Sequence, residues 1–495
     1  MAAGTSLLRG VASRLGGAVV GVPRRLLPRS AAVSRSRSQS QATSLEDDHC
    51  SAFLHWLQTK AGTRISSVLA VATSSFGRSL VALEPIKEGD CILEVPYSVQ
   101  LTEDKLPQEV CMLLDNLVGD TAKVAVLLMM EQHLGHESGW ESYIKSLPCK
   151  DEMHNMIFWD LNELHMVRNS SVYNEAIEQR EHAKKELSAA KPVHTLRPSL
   201  FLAYPFPLAC LLMSFPICKV LERFPHLFGE IKLENFMHAS ALVSSRAWRT
   251  SRGVSLIPFA DFLNHDGLSN SILLYDEQKD VSEVIADRNY AVGEQVMIRY
   301  GKYSNAALAL NFGFTLSSNI YDQAHTRVDI PYEDPFHWKK LDIWERHHGP
   351  KYEDMFCCSY NKTFVIKEVK FCGGKGVGVP QILRAFFRVF HATSLEELEE
   401  MSTEAARDDG RLARRPLGNK EREIHAHRML LLHLDDEIQS YLTAIEHLEI
   451  ANDPESRSVH PFRKDMAKDI LVGELRVLQS ARAWVASYCE TLRIS

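Results

Sequence analysis

The stretch Leu256-Ile-Pro-Phe-Ala-Asp-Phe-Leu-Asn264-His265-Asp266 is the one on which the reading of this chain turns. An apolar run ends in Asn-His, two side chains that can satisfy backbone groups at a strand end or hold a ligand. It is answered by Gly293-Glu-Gln-Val-Met-Ile-Arg-Tyr300-Gly301-Lys-Tyr-Ser-Asn305. Here Val296, Ile298 and Tyr300 alternate with Met297 and Arg299, and period two predicts a half-buried strand. That strand delivers a tyrosine next to Gly301, where the backbone is free to turn. In isolation Asn-His is more often a strand end than a ligand site, and Tyr-Gly more often a turn than a catalytic corner.

Outward from this pair, the totals set bounds. A chain of 495 residues with 45% hydrophobic content has room for two to four domains with ample cores. A net charge of −7 gives no global bias toward nucleic acid, and no partner of that kind is expected. The ten cysteines, at 50, 91, 111, 149, 210, 218, 357, 358, 372 and 489, contain no C-x-x-C pair. Reduced buried thiols are therefore the reading, and no metal is expected. No apolar run approaches the roughly 20 residues that span a bilayer, so no membrane partner is expected.

Residues 1–45 lack Asp, Glu and Lys but carry Arg9, Arg14, Arg24, Arg25, Arg29, Arg35 and Arg37 among Ser and Ala. Leu7, Leu8, Val11 and Leu15 can share a helical face. This composition predicts an organellar transit peptide, with a disordered basic tail as the alternative. After Glu46, Asp47 and Asp48, a helix is expected with Phe53, Leu54, Trp56 and Leu57 as its buried stripe and Gly62 at its end. Strands are expected at 66–72 and 90–96. Residues 100–235 read as helical: Val124, Leu127 and Leu128 define one face ending at Gly135, and a charged helix from Ser171 leads to a Pro-containing linker near 190–198. His154 and His165 lie there without supporting ligands. A helix over "MHASALVSSRAW" carries Arg246. His347-His348 reads as a solvated helix end. Beyond 419, Leu434, Ile438, Leu442, Ile445 and Leu448 recur at helical spacing, as do Met466, Ile470, Leu471, Leu475 and Leu478.

The ordered set "FGRSLVALEPIKEGDCILEVP", "SSRAW", "LIPFADFLNH" and "GEQVMIRYGKYSNAALALNFGF" resembles the SET-domain protein methyltransferases, in the branch typified by the Rubisco large-subunit lysine methyltransferase. The resemblance covers roughly 48–490 and is densest over 236–322. It implies an α+β protein: a SET fold of small β-sheets with a helical insertion, followed by an all-α C-terminal domain. The corresponding division is 1–45 transit peptide, 46–99 N-terminal SET part, 100–235 helical insertion, 236–318 C-terminal SET part and 319–495 Rubisco LSMT-like substrate-binding domain.

The resemblance further implies S-adenosyl-L-methionine as methyl donor, held by Phe76, Gly77, Arg78, Asn264, His265 and Phe312. Ser79 stands where many relatives have a second glycine, which puts the path of that loop in question. Tyr300 is the implied catalytic residue, orienting an acceptor amine and walling its channel. Arg246 and Asp261 are implied beside the acceptor, with a structural ion pair as the alternative. The implied activity is protein-lysine N-methylation of a non-histone protein by a monomer in chloroplast or mitochondrion. Histidine methylation by the same fold, and a degenerate SET scaffold, are the alternatives.

Overall fold

The computed structural model describes residues 44–45, 48–74, 77–114, 119–178, 223–229, 232–347, 363–372, 375–406, 411–450 and 459–494. Residues 1–43, Phe76, the 190–198 linker, His348 and the cysteines at 210, 218, 357 and 358 lie outside the described residues. The site is built on a five-stranded sheet. Its strands are β1 (Ser44–Leu45), β2 (Leu69–Ser74), β3 (Gly77–Ala82), β4 (Asn264–His265) and β5 (Gln295–Ile298). Their spatial order is β1-β2-β3-β5-β4. Residues 44 and 45, the last two of the acid-free N-terminal segment, pair with Thr73 and Ala72, so the sheet already includes them.

β2 and β3 form an antiparallel hairpin, and β5 joins antiparallel to β3 through Val296 opposite Leu80. β4 then pairs in parallel with β5, Asn264 beside Met297 and His265 beside Ile298. This parallel step brings the two decisive stretches of sequence together. Two three-stranded sheets flank it: Cys91–Pro96, Val281–Ile285 and Leu273–Asp276, and Leu101–Thr102, Gly253–Leu256 and Trp248–Thr250.

The helices that position the site are α1 (Asp48–Ala61), α2 (Asp120–Leu134), α3 (Glu141–Ser146), α4 (Leu233–Arg246) and α5 (Asn305–Asn311). α1 buries Phe53 and Leu57 and stops at Gly62, whose φ of +67° favours glycine. α2 departs from the single apolar face expected for it. Every residue from Val124 to Met130 is buried, because α4 and strand Gly253–Leu256 close over its other sides.

The C-terminal region is helical, with α6 (Gln381–Phe390), α7 (Lys420–Glu449) and α8 (Pro461–Ile494) as its main elements. It is not wholly α. Gln323–Arg327 pairs with Thr363–Lys367, and Lys370–Cys372 with Lys375–Val377, as two short ribbons. α7 and α8 run antiparallel, joined along their length by Glu449–Lys468 and Asp435–Arg482 pairs. Leu434 and Ile438 are buried in the seam as expected, but Leu442 is 42% exposed and points away from it.

The first turns of α8 do not belong to this seam alone. Met466, Ala467 and Ile470 pack with Trp159, Leu164, Val167 and Leu310 of the preceding half of the chain. Beside them Glu474 is fully buried, accepting from Ser170 Oγ at 2.8 Å and Tyr441 Oη at 2.7 Å. Burial, reinforced by the charges of Asp322 and Glu175, raises its carboxyl from the usual range to about 8. The folded chain thus keeps a proton that the unfolded chain releases above about pH 4.5, and stability drains away as pH rises from there to about 8. Glu474→Gln, which mimics the protonated form, should raise stability at pH 8 by about 2 kcal/mol, with the gain vanishing below about pH 5. Urea denaturation at the two pH values tests this; a variant that is less stable at both would contradict it.

Candidate functional site

Tyr300 stands two residues beyond the β4–β5 contact. Its backbone N–H donates to His265 Nδ1 at 3.0 Å, and its hydroxyl donates to the Leu263 carbonyl at 2.6 Å. The imidazole ring lies against the phenol ring, centroids 5.1 Å apart and 30° between planes. Trp248 meets the phenol edge-on at 5.5 Å, Phe312 flanks it at 5.5 Å and Phe314 at 6.4 Å. Tyr300 is therefore held by both its backbone and its hydroxyl inside an aromatic box. Burial pushes its phenol far above the ordinary tyrosine range, and burial also lowers His265, keeping that ring neutral.

Gly301 serves a different purpose from the expected turn. Its φ is not positive, but a Cβ there would run into the ring of Tyr303, which packs on Phe312 at 5.5 Å. The glycine makes room for the aromatic wall. Real backbone strain falls earlier: Phe259, fully buried, has a φ of +74° just before the turn Ala260–Phe262. The strained residue aims that turn inward.

The turn carries Asp261, whose side chain is wholly buried. Arg246, at the end of α4, reaches it with Nη1 3.2 Å from the Asp261 carbonyl and 3.4 Å from Oδ2. Tyr143 of α3 donates to the same Oδ2 at 3.0 Å. Arg246 and Asp261 thus do form an ion pair, yet Asp261 Oδ1 meets no partner, nor do His265 Nε2 and Trp248 Nε1. Burial raises the Asp261 carboxyl, opposed by Arg246 and Tyr143.

On the other side, Asn264 Nδ2 donates to the Arg78 carbonyl at 3.1 Å and ties β4 to β3. Arg78 lies over the Phe262 ring at 5.8 Å and donates through Nη1 to the Ser146 carbonyl of α3. Gly77 has a φ of +83°, and a Cβ there meets nothing within 4 Å. Its requirement is conformational, and the open space beside it leaves main-chain groups accessible to a ligand. Ser79 does not disturb this path: it sits buried in β3 opposite Ala72 and donates to the Ala72 carbonyl at 3.1 Å.

The structure thus gathers Gly77, Arg78, Arg246, Asp261, Asn264, His265, Tyr300 and Phe312 around one locus, while Phe76 is outside the described residues. Sequence reasoning missed Tyr143, Trp248 and Phe314. Trp248 lies in the quoted "SSRAW" and Phe314 in "LNFGF", so both stood beside recognised positions; nothing local marked Tyr143. Among the described residues Cys91, Glu94 and Glu283 approach ligand-like spacing. Lys279 already bonds both carboxylates, at 2.9 and 3.3 Å, and partial burial of the sulfur together with the charges of Glu94 and Glu283 pushes the thiol up to about 11. That chemistry does not suit a metal cation.

Comparison with known families matches residues 77–301 to the SET domain and residues 331–478 to the Rubisco LSMT substrate-binding domain. The chain is 26% identical over 305 residues to the chloroplastic [fructose-bisphosphate aldolase]-lysine N-methyltransferase of Arabidopsis thaliana, covering 59% of this chain and 57% of that one. It is 26% identical over 331 residues to the chloroplastic ribulose-1,5 bisphosphate carboxylase/oxygenase large subunit N-methyltransferase of Pisum sativum, covering 63% and 60%. The human actin-histidine N-methyltransferase aligns at 22% identity over 458 residues, 88% of this chain and 68% of that one. The chain therefore spans less than two thirds of the length of the first two relatives. The structure of Rubisco LSMT bound to AdoMet superposes with a TM-score of 0.63 at 21% identity, over 90% of this chain and 93% of that one. The chain thus carries a SET domain followed by a Rubisco LSMT substrate-binding domain, on the fold of the solved Rubisco LSMT.

Proposed function

We propose that the chain is an S-adenosylmethionine-dependent protein-lysine N-methyltransferase acting on a non-histone protein. The observation that carries this reading is the β4–β5 crossing, which sets Asn264, His265 and Tyr300 side by side beneath an aromatic wall. One relative named as a lysine N-methyltransferase, another named as a Rubisco large subunit N-methyltransferase, and a solved relative bound to AdoMet support it.

The residues present suit the donor: an open, positive-φ Gly77 next to Arg78, a half-buried Asn264 and a neutral His265 with an unpaired Nε2. S-adenosylmethionine, when bound, supplies an electrophilic methyl on a cationic sulfur. The chain's own task is to present a neutral amine in line with that methyl, which is a matter of position. The aromatic box excludes water and disfavours the ammonium form of an amine entering it. Tyr300 spends its hydroxyl proton on Leu263, leaving the oxygen's lone pairs to accept an amine N–H. With its phenol raised far above neutrality, Tyr300 orients and does not act as a base.

Residues 46–99 and 236–318 serve in this reading as the two SET parts around the 100–235 insertion, and 319–495 engages the protein substrate. The acid-free, arginine-rich residues 1–45 support delivery to chloroplast or mitochondrion, and chloroplastic relatives agree. A reporter fused to this segment should enter an organelle and be shortened; a full-length cytosolic signal would remove the targeting assignment. Among the described residues no helix is long and apolar enough to cross a membrane.

The activity test is incubation of the purified chain and S-adenosylmethionine with Rubisco large subunit, fructose-bisphosphate aldolase and actin, read by intact mass and peptide mapping. Methyl groups on lysine are expected. Methylation confined to histidine would establish the alternative acceptor, and absence of donor binding would leave a scaffold. Donor binding has its own prediction. Asn264→Ala removes the strap to the Arg78 carbonyl and should weaken S-adenosylhomocysteine binding by about tenfold in calorimetry. Unchanged affinity in the folded variant would place the donor elsewhere.

A further inference from the structure

Tyr143 belongs to the helical insertion, 118 residues before the turn it touches, and its side chain is completely buried. It spends its hydroxyl proton on Asp261 Oδ2, which also faces Arg246 Nη1, whereas Asp261 Oδ1 has no partner. Two donors on one oxygen and none on the other fix the plane of the carboxylate. The same turn offers its Leu263 carbonyl to the Tyr300 hydroxyl, and the Asp261 charge acts on that phenol. The unloaded oxygen is a strong acceptor in an apolar setting, matched by a group rich in N–H donors and poor in acceptors, which is the chemistry of an alkyl amine.

We propose that Tyr143 is a positioning residue for the acceptor amine, holding Asp261 by Oδ2 so that Oδ1 receives an amine N–H beside Tyr300. This rests on the amine-acceptor reading above. A second contact of the same helix strengthens it. Ser146, three residues on in α3, gives its carbonyl to Arg78 of β3 and its hydroxyl to the Tyr143 carbonyl at 2.6 Å. One short helix of the insertion therefore touches both the residues expected at the donor and those expected at the acceptor.

The test uses the full chain, with S-adenosylhomocysteine and free L-lysine as probes in calorimetry. Tyr143→Phe keeps the buried ring and removes the donor. It should weaken L-lysine binding in the presence of S-adenosylhomocysteine by about five- to tenfold, with S-adenosylhomocysteine affinity within about twofold of the parent. In an Asp261→Asn background the same change should add less than about twofold, since Tyr143 acts through Asp261. Additive losses, or equal losses for both probes, overturn the positioning role. So does a Tyr143→Phe chain that no longer folds, which would make the hydroxyl a folding requirement. A parent chain that binds S-adenosylhomocysteine but not L-lysine overturns the amine-acceptor reading itself, which separates the two failures.

Discussion

Tyr300→Phe should leave the fold and donor affinity nearly intact while cutting methyl transfer by a factor on the order of 10² or more. The ring contacts with His265, Trp248 and Phe312 survive the substitution, as does the backbone bond to His265. What disappears is an oxygen anchored at 2.6 Å from the Leu263 carbonyl, in a position to guide the acceptor. A contact that counts most at the moment of transfer should register in kcat more than in KM. Because burial keeps the phenol protonated throughout the neutral range, the rate of methyl transfer by the parent chain should show no ionisation attributable to Tyr300 between pH 6 and 9. A variant that turns over at the parent rate on a verified substrate would remove Tyr300 from the reaction.

The second large effect lies far from the site. Arg388 on α6 and Glu423 on α7 form a wholly buried, two-point pair, Nε to Oε2 at 2.8 Å and Nη2 to Oε1 at 2.6 Å. Tyr488 and the Leu417 N–H also donate to the carboxylate, and Arg388 Nη1 donates to the Leu412 carbonyl. Burial alone would raise Glu423, but the hydrogen bonds and charge of Arg388 prevail and hold it at about 2. Its contribution is therefore present above the ordinary glutamate range and lost as pH falls from about 4.5 toward 2. Arg388→Met strands the carboxylate without its partner and should cost about 3–5 kcal/mol at neutral pH, whereas Arg388→Met with Glu423→Leu should recover much of that. Chemical denaturation measures both; a single variant losing less than about 1 kcal/mol would mean that the pair relaxes into water.

These two sites were unequally legible in the sequence. Period two marks Tyr300 as the end of a half-buried strand, and the polar close of an apolar run marks Asn264-His265, but each alone reads more readily as a turn or a strand end. The family resemblance then joined them, a step that periodicity alone could not make. Tyr143 and Arg388 carry no such mark: each is defined by a partner 118 or 35 residues away, and only packing chooses among the many polar residues that could serve. In α2 the stripe Val124, Leu127 and Leu128 suggests one buried face, but the continuous apolar run from Val124 to Met130 signals burial on every side. The ribbon strand Gln323–Arg327 was hidden by its polar composition: Ala324 and Thr326 face the core while Gln323, His325 and Arg327 dilute the hydrophobic signal. Gly301 suggests a turn in the sequence, but its reason is steric, a distinction that requires knowing where Tyr303 lies.

α8 has a consequence for how the molecule comes apart. Its Met466, Ala467 and Ile470 are locked among Trp159, Val167 and Leu310, and Val477, Leu478, Ala481 and Trp484 of the same unbroken helix are locked into the C-terminal core. A single rod shared by two cores cannot let go of one without disturbing the other. Heat or urea should accordingly unfold both halves in one cooperative step, with coincident signals from Trp159 and Trp484. Expression of the SET half alone would leave the Trp159 face bare and prone to aggregate, so the smallest fragment that folds should retain the chain through α8.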